Sequence, residues 1–360
     1  MSSLSIGIIG LPNVGKSTLF NSLTNADILA ANYPFATIEP NTGIVPVPDE
    51  RLDVLHHIYS ADKVIPATVT FVDIAGLVAG ASKGEGLGNK FLATIRECNA
   101  IVHVVRAFEN NDILRHDESS VNPKNDIEII NTELILADIQ SLEKQLPKLQ
   151  KEAKSSPAAR EQVGYVESLL RHLQAGTPLS ALPSLDNEVV AGLALLTAKP
   201  VIYLFNVDEP TLTDDTTRQE LTDLVAPART IFVCAKIEEE IKDLPEEDAL
   251  ELLDAYGVKD TGLHQLINAA YATLGLQSYL TAGPKEVRAW TIPQGATAPQ
   301  AAGVIHTDFE RGFIAAQIVD YNDLVAAGTE QAAKAAGKVR TEGKTYIMQP
   351  NDVVEFRFNV

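Results

Sequence analysis

Residues Gly10-Leu11-Pro12-Asn13-Val14-Gly15-Lys16-Ser17-Thr18 follow the pattern G-x-x-x-x-G-K-[S/T]. They lie between a short apolar run, Ser5-Ile6-Gly7-Ile8-Ile9, and a helical pattern that opens at Thr18-Leu19-Phe20. Strand, glycine loop and helix in this order leave little freedom, because the loop works only where a buried strand ends and a helix N-terminus points back at it. The glycines let the backbone curl so that N–H groups of Asn13, Val14, Gly15, Lys16, Ser17 and Thr18 face a phosphate chain. Lys16 then reaches the β- and γ-phosphates, which makes it the catalytic cation, and the Ser17 hydroxyl is placed to bind Mg²⁺.

Further apolar runs give the sheet its other strands. Thr68-Val69-Thr70-Phe71-Val72, Ala100-Ile101-Val102-His103-Val104-Val105, Pro200-Val201-Ile202-Tyr203-Leu204-Phe205 and Thr230-Ile231-Phe232-Val233 are rich in Val and Ile. Such runs read as buried strands of a mostly parallel sheet, which predicts a three-layer α/β domain. From about 126 to 197 the pattern turns helical, with a break at Ser155-Ser156-Pro157. That length far exceeds one crossover helix, so an antiparallel helical hairpin inserted into the α/β domain is expected. The stretch from Glu238 to Asp254 is strongly acidic and reads as a solvated helix face. After residue 276 short strand candidates, including Val287-Arg288-Ala289-Trp290-Thr291-Ile292 and Val353-Val354-Glu355-Phe356-Arg357-Phe358, suggest a small α+β domain. The domain limits are 3–135 with 199–276, then 136–198 for the hairpin, then 277–360.

Four further motifs gain meaning from their order after the glycine loop. Phe71-Val72-Asp73-Ile74-Ala75-Gly76 ends a strand in D-x-x-G, so Asp73 would hold magnesium through water and the Gly76 amide would sense the γ-phosphate. In the loop Tyr33-Pro34-Phe35-Ala36-Thr37-Ile38, Thr37 offers a second hydroxyl to the metal. Asn206-Val207-Asp208-Glu209 stands where a base-reading N-K-x-D would be, with Val207 for the lysine and Glu209 for the aspartate. A longer carboxylate disturbs bidentate recognition of guanine, and a misfit at a buried polar contact changes specificity strongly, so ATP is favoured over GTP. Cys234-Ala235-Lys236 follows the next strand where S-A-K closes over a base.

Charge and cysteine content narrow the setting. The 360 residues carry 29 Lys plus Arg against 48 Asp plus Glu, a net charge of −19, which argues against a broadly basic nucleic-acid surface and against sequence-specific DNA. Residues 277–360, however, hold 8 against 9, leaving 21 against 39 for the first 276. A local RNA-binding face in the C-terminal part, with Arg288, Arg311 and Lys344, therefore stays open. Lys144, Lys148, Lys151 and Lys154 recur at helical spacing in the hairpin, either as a solvated face or as a second basic strip. Cys98 and Cys234 are too few and too far apart for a disulfide framework or zinc site, and no run is long enough for a membrane span; a cytoplasmic protein with no membrane partner is the expectation.

The glycine loop, Asn32-Tyr33-Pro34-Phe35-Ala36-Thr37-Ile38-Glu39-Pro40-Asn41, Asp73-Ile74-Ala75-Gly76-Leu77-Val78 and Gly80-Ala81-Ser82-Lys83-Gly84-Glu85-Gly86-Leu87-Gly88-Asn89 together resemble the Obg-related P-loop GTPase class. The N-x-x-E base motif, the helical insert and the segment Ala298-Pro299-Gln300-Ala301-Ala302-Gly303-Val304-Ile305-His306-Thr307-Asp308-Phe309 are similar to the YchF type, the Obg-like ATPases. That resemblance covers essentially the whole chain. It implies a G domain, an inserted helical domain and a C-terminal TGS domain, slow ATP hydrolysis with GTP the poorer substrate, and association with the ribosome through the TGS and helical domains. It also implies a loop histidine in hydrolysis, for which His116 is the candidate, with Arg115 the alternative because the local spacing is one residue longer. Leu77, where Ras-like proteins carry glutamine, cannot orient water. In related P-loop enzymes an asparagine at the place of Asn13 helps bind K⁺; a purely loop-shaping asparagine is the other reading. A GTPase, or an RNA-binding regulator with ATP as a structural ligand, stand as the alternatives to an ATP-driven switch.

Overall fold

The computed structural model describes residues 4–24, 41–74, 87–109, 121–242 and 244–359. By contacts these fall into two compact units, one of 4–24, 41–43 and the described part of 70–266, the other of 44–69 and 267–359.

A six-stranded sheet in the order β2-β4-β1-β5-β6-β7 underlies the first unit, although residues 44–46 and 68–69 of its strands are grouped with the second. Its strands are β1 (Ser5–Ile9), β2 (Thr42–Pro46), β4 (Thr68–Asp73), β5 (Ala100–Ala107), β6 (Val201–Val207) and β7 (Arg229–Val233). β1 lies parallel between β4 and β5, and β5, β6 and β7 continue parallel. β5 is buried along almost its whole length, which explains why its sequence is continuously apolar rather than alternating. The central place of β1 fixes the function of the unit, since whatever follows Ile9 emerges at the carboxyl edge of the sheet, between two neighbours.

The helices of this unit include α1 (Lys16–Leu23), α3 (Leu87–Glu97), α4 (Pro123–Glu152) and α5 (Pro157–Gln174). Asn122 and Ser156 cap α4 and α5, each accepting from the backbone N–H three residues on, and Pro123 and Pro157 occupy first-turn positions where a missing N–H costs nothing. α4 and α5 form the expected antiparallel hairpin around Ile135, Leu142, Val166, Leu169 and Leu173, spaced by three, four or seven within each helix. α4 is one continuous helix from Pro123, so residue 136, the expected domain limit, falls inside it. Asp138 on α4 is wholly buried and accepts from Leu196 N, Thr197 N and Thr197 Oγ1 at 2.8, 2.8 and 2.7 Å. One carboxylate thereby ties the hairpin to the chain that returns to β6. Burial is the chief cause that pushes the Asp138 pKa up, against the pull of those bonds.

The second unit has a mixed sheet in the order β11-β10-β12-β8-β9-β3. Its strands are β3 (Val64–Ile65), β8 (Leu276–Ala282), β9 (Val287–Pro293), β10 (Phe313–Asp320), β11 (Arg340–Glu342) and β12 (Asp352–Phe358). The helix Ala298–Ile305 supplies Ala298, Ala301 and Ala302 to a core with Tyr279, Ile292, Phe313, Ile318 and Val354. The small alanines let the helix sit close, and the Tyr279 hydroxyl donates to Ala301 O at 2.9 Å.

Residues 44–69 belong to this second unit, whereas the sequence reading places them in the first domain, within 3–135. The contacts explain the difference. β3 pairs parallel with β9 at Val64–Val287 and Ile65–Arg288, and α2 (Arg51–Tyr59) buries Leu52 and Leu55. Arg51 at its start binds Asp49 through two nitrogens and Pro350 O through a third. No feature of 44–69 alone reveals which sheet its apolar face will meet.

Candidate functional site

The glycine loop follows β1 as the sequence predicts. Gly10 must be glycine for space: a Cβ there would stand 2.7 Å from the Val104 carbonyl oxygen. Gly15 must be glycine twice over, because its φ is 92° and a Cβ there would stand only 2.4 Å from Asn206 Nδ2. Asn13 also takes a left-handed conformation, at φ 62°, which asparagine tolerates better than most residues. Gly15 caps α1 without a side-chain bond, and the first intrahelical bond runs from Leu19 N to Gly15 O at 3.0 Å. The N–H groups of the first turn are thus available to an anion, aided by the helix dipole.

Charge converges at the same point. Lys16 is buried, and its Nζ lies 2.6 Å from Asp73 Oδ1. Asp73 ends β4, where its N–H donates to Asn41 O and the next N–H, of Ile74, donates to Ile8 O. Ser17 is exposed beside Lys16 at the helix start. A hydroxyl and a carboxylate at the mouth of a phosphate-binding loop fit Mg²⁺, a hard ion that keeps several waters and takes one or two protein oxygens. Among the described residues no cluster of three or more His, Cys, Asp or Glu side chains offers a dedicated metal cage.

A hollow of about 450 Å³ opens on the other side of the loop, lined by Asn13, Gly15 and Thr18, by Phe108, by Asn206 to Pro210 and by Cys234 to Lys236. Asn206 organises it. Its Nδ2 donates to Val14 O at 2.9 Å and its Oδ1 accepts from Ala235 N at 3.1 Å, so one buried amide pins the phosphate loop and the 234–236 loop together. Val207 is 2% exposed and packs with Val105, Phe205 and Leu221. Its side chain serves the core, not a stacking surface. Glu209 and Lys236 form an ion pair across the hollow, Oε1 to Nζ 2.6 Å. Burial pushes the Cys234 thiol up in pKa.

Phe108 belongs to none of the sequence motifs. It follows β5 at the edge of the hollow, and the Arg106 guanidinium lies 4.6 Å from its ring centre while Arg106 Nε donates to Phe108 O. The signal for it in the sequence is an aromatic residue just past a strand that borders the glycine loop. Thr37, Gly76 and His116 lie outside the described residues. Lys16, Ser17 and Asp73 come together at one edge of the site, and Asn206 and Glu209 at the other.

The acidic run also departs from expectation at one place. Glu238 is not part of a solvated face: it is 5% exposed, and its Oε1 accepts from Gly262 N at 2.7 Å and Leu263 N at 3.3 Å, at the start of the helix Gly262–Thr273. Burial raises its pKa to about 7.

A glycine loop at the end of a central parallel strand, a lysine and a strand-end carboxylate at the helix start, and an asparagine-pinned hollow alongside define a P-loop nucleotide-binding G domain. Comparison with known proteins agrees. A family model described as "50S ribosome-binding GTPase" matches residues 5–154, and one described as "YchF-GTPase_C: Protein of unknown function" matches 276–359. Relatives named "Ribosome-binding ATPase YchF" include one from Haemophilus ducreyi, 53% identical over 98% of this chain and 99% of the relative. Another from Bacillus subtilis is 48% identical over 99% of this chain and 100% of its own length. The solved structure of the Schizosaccharomyces pombe YchF GTPase superposes with a TM-score of 0.87 at 39% identity, covering 99% of this chain and 98% of that one. The chain belongs to the YchF family.

Proposed function

We propose that this protein is an ATP-binding, slowly ATP-hydrolysing switch that associates with the ribosome, in the cytoplasm. The observation that carries the nucleotide reading is the convergence of Lys16, Asp73 and the first turn of α1 on one point. Lys16 would neutralise the β- and γ-phosphates, and the loop N–H groups would hold the oxygens without reorganisation. Ser17, Thr37 and, through water, Asp73 would hold Mg²⁺, which would supply positive charge to neutralise the phosphate chain. The Gly76 amide would follow the γ-phosphate, and with Leu77 in place of a glutamine, slow turnover or a distant group such as His116 is expected. K⁺ at Asn13 would add transition-state charge. Phe108 would supply a face for the base.

The names carried by the relatives support ATP and the ribosome as partners. GTP is taken as the poorer substrate because Glu209 replaces the guanine-reading aspartate. The C-terminal unit is read as a TGS domain, and with the hairpin as the surface that reports the nucleotide state.

Co-sedimentation with ribosomes in the presence of ATP, ADP or GTP analogues tests the reading. Binding that changes between ATP and ADP, and stops changing in Lys16→Ala, is the expected result. Binding indifferent to nucleotide, or unchanged in Lys16→Ala, would remove the switch. Turnover compared in KCl and NaCl tests the potassium site, and equal rates would remove it.

A further inference from the structure

The base-side hollow is lined by four carboxylates, those of Glu109, Asp208, Glu209 and Glu239, and among the described residues that line it Lys236 is the one cation. Two of the carboxylates are engaged by the backbone. Asp208 Oδ1 accepts from Thr211 N at 3.2 Å and from the Thr211 hydroxyl, and Glu109 Oε1 accepts from Val121 N at 3.3 Å. Glu209 is held through Oε1 by Lys236 Nζ, at 2.6 Å, with a third of the Glu209 side chain still open to solvent.

The chemistry of the pair matters for the base. Guanine presents two adjacent N–H donors, at N1 and N2, and is read by a carboxylate with both oxygens free. Adenine presents one donor at N6 and, next to it, an acceptor at N1. A carboxylate with an ammonium on one oxygen keeps its other oxygen free, while the ammonium, with two hydrogens left, crowds the first oxygen and presents a donor where a second guanine N–H would have to approach. Together they offer an acceptor beside a donor, which is complementary to adenine and a mismatch for the guanine edge. A site built to hydrogen-bond one pattern discriminates strongly against the other, because a polar group is left without a partner.

We propose that Lys236 is a specificity-determining residue of this site: from its ion pair with Glu209 it sets an ammonium donor against the second guanine N–H and supplies a donor to adenine N1. The proposal rests on the reading of the chain as an ATP-binding protein. It assigns to the pair, and not to the carboxylate alone, the choice between the two purines.

The test uses the full chain, with equilibrium dissociation constants for ATP, GTP and 1-deaza-ATP, in which a C–H replaces the N1 acceptor. The unsubstituted protein should bind 1-deaza-ATP about tenfold more weakly than ATP, the loss expected for one hydrogen bond to a charged donor. Lys236→Met keeps the length of the stem and should bind ATP and 1-deaza-ATP alike, with the ATP-to-GTP preference reduced about tenfold. The Lys236 side chain is two-thirds exposed, and a thermal melt confirms that the variant is folded. If the unsubstituted protein does not distinguish 1-deaza-ATP from ATP, or Lys236→Met keeps both discriminations, the pair is an ordinary surface ion pair and the proposal is overturned. Tighter binding of GTP than ATP by the unsubstituted protein overturns the adenine reading itself, and is seen before any variant is made.

Discussion

Asn206 shows how a single side chain can do more than its motif suggests. The sequence identifies it as part of a base-reading pattern, but the pattern says nothing of Val14 and Ala235, to which its amide bonds. Replacing it with alanine takes away the partner of the buried Val14 carbonyl, at about 1–3 kcal/mol, and that of the half-buried Ala235 N–H, at less. We expect Asn206→Ala to lower the melting temperature and to weaken nucleotide binding at least tenfold, both measurable by a thermal-shift titration. Glu238 gives a pH prediction. Its folded pKa, about 7, lies above the ordinary glutamate value, so the folded state holds a proton that the unfolded chain has lost. The stability it contributes is complete below the unfolded pKa and is lost as pH rises through about 7. Urea unfolding at pH 5 and pH 8 should show the protein losing on the order of 2–3 kcal/mol that Glu238→Gln, which keeps the acceptor and cannot titrate, does not lose. The run of acidic residues conceals this role, because composition gives the charge of a stretch and not the partner of one carboxylate.

Among elements, the strands of the nucleotide-binding sheet were the most legible. β1, β5 and β6 are buried on both faces and read as unbroken apolar runs, and the glycine loop after β1 follows from spacing alone. The hairpin was legible in outline, through the leucines and the Ser155-Ser156-Pro157 break, but not its anchor. Asp138 sits in a helical pattern as one more charged residue, and only the fold brings Leu196 and Thr197 to it. Asp138→Ala should cost about 2–4 kcal/mol, since three donors lose an acceptor inside the protein, and Asp138→Asn should cost less because one acceptor remains. Hydrogen exchange would place the loss: faster exchange at the Leu196 and Thr197 amides, with that of the β1 strand unchanged, is the expected pattern.

For the whole molecule, the division of the chain was half legible. The change of composition near 276 marks where the second sheet begins, and β8 starts there. The contribution of 44–69 to that sheet was not legible, because two buried leucines on a short helix and a two-residue strand specify burial without naming a partner. The contacts lead to a prediction. A fragment of 277–360 lacks Leu52 and Leu55, the Arg51 bonds and the β3 edge, and should not unfold cooperatively, whereas the intact chain should; differential scanning calorimetry of both decides it.

The order of strands in the second sheet also sets a timetable for the nascent chain. β12, at residues 352–358, lies between β10 and β8 and joins the two halves of that sheet, while β3 at its edge is made some two hundred and ninety residues earlier. The glycine loop, Asp73 and the asparagine of β6 are all synthesised before β8 exists. During translation, then, the nucleotide site can assemble while α2 and β3 still await the strands that will cover them, and the second unit closes only when residue 358 has left the ribosome.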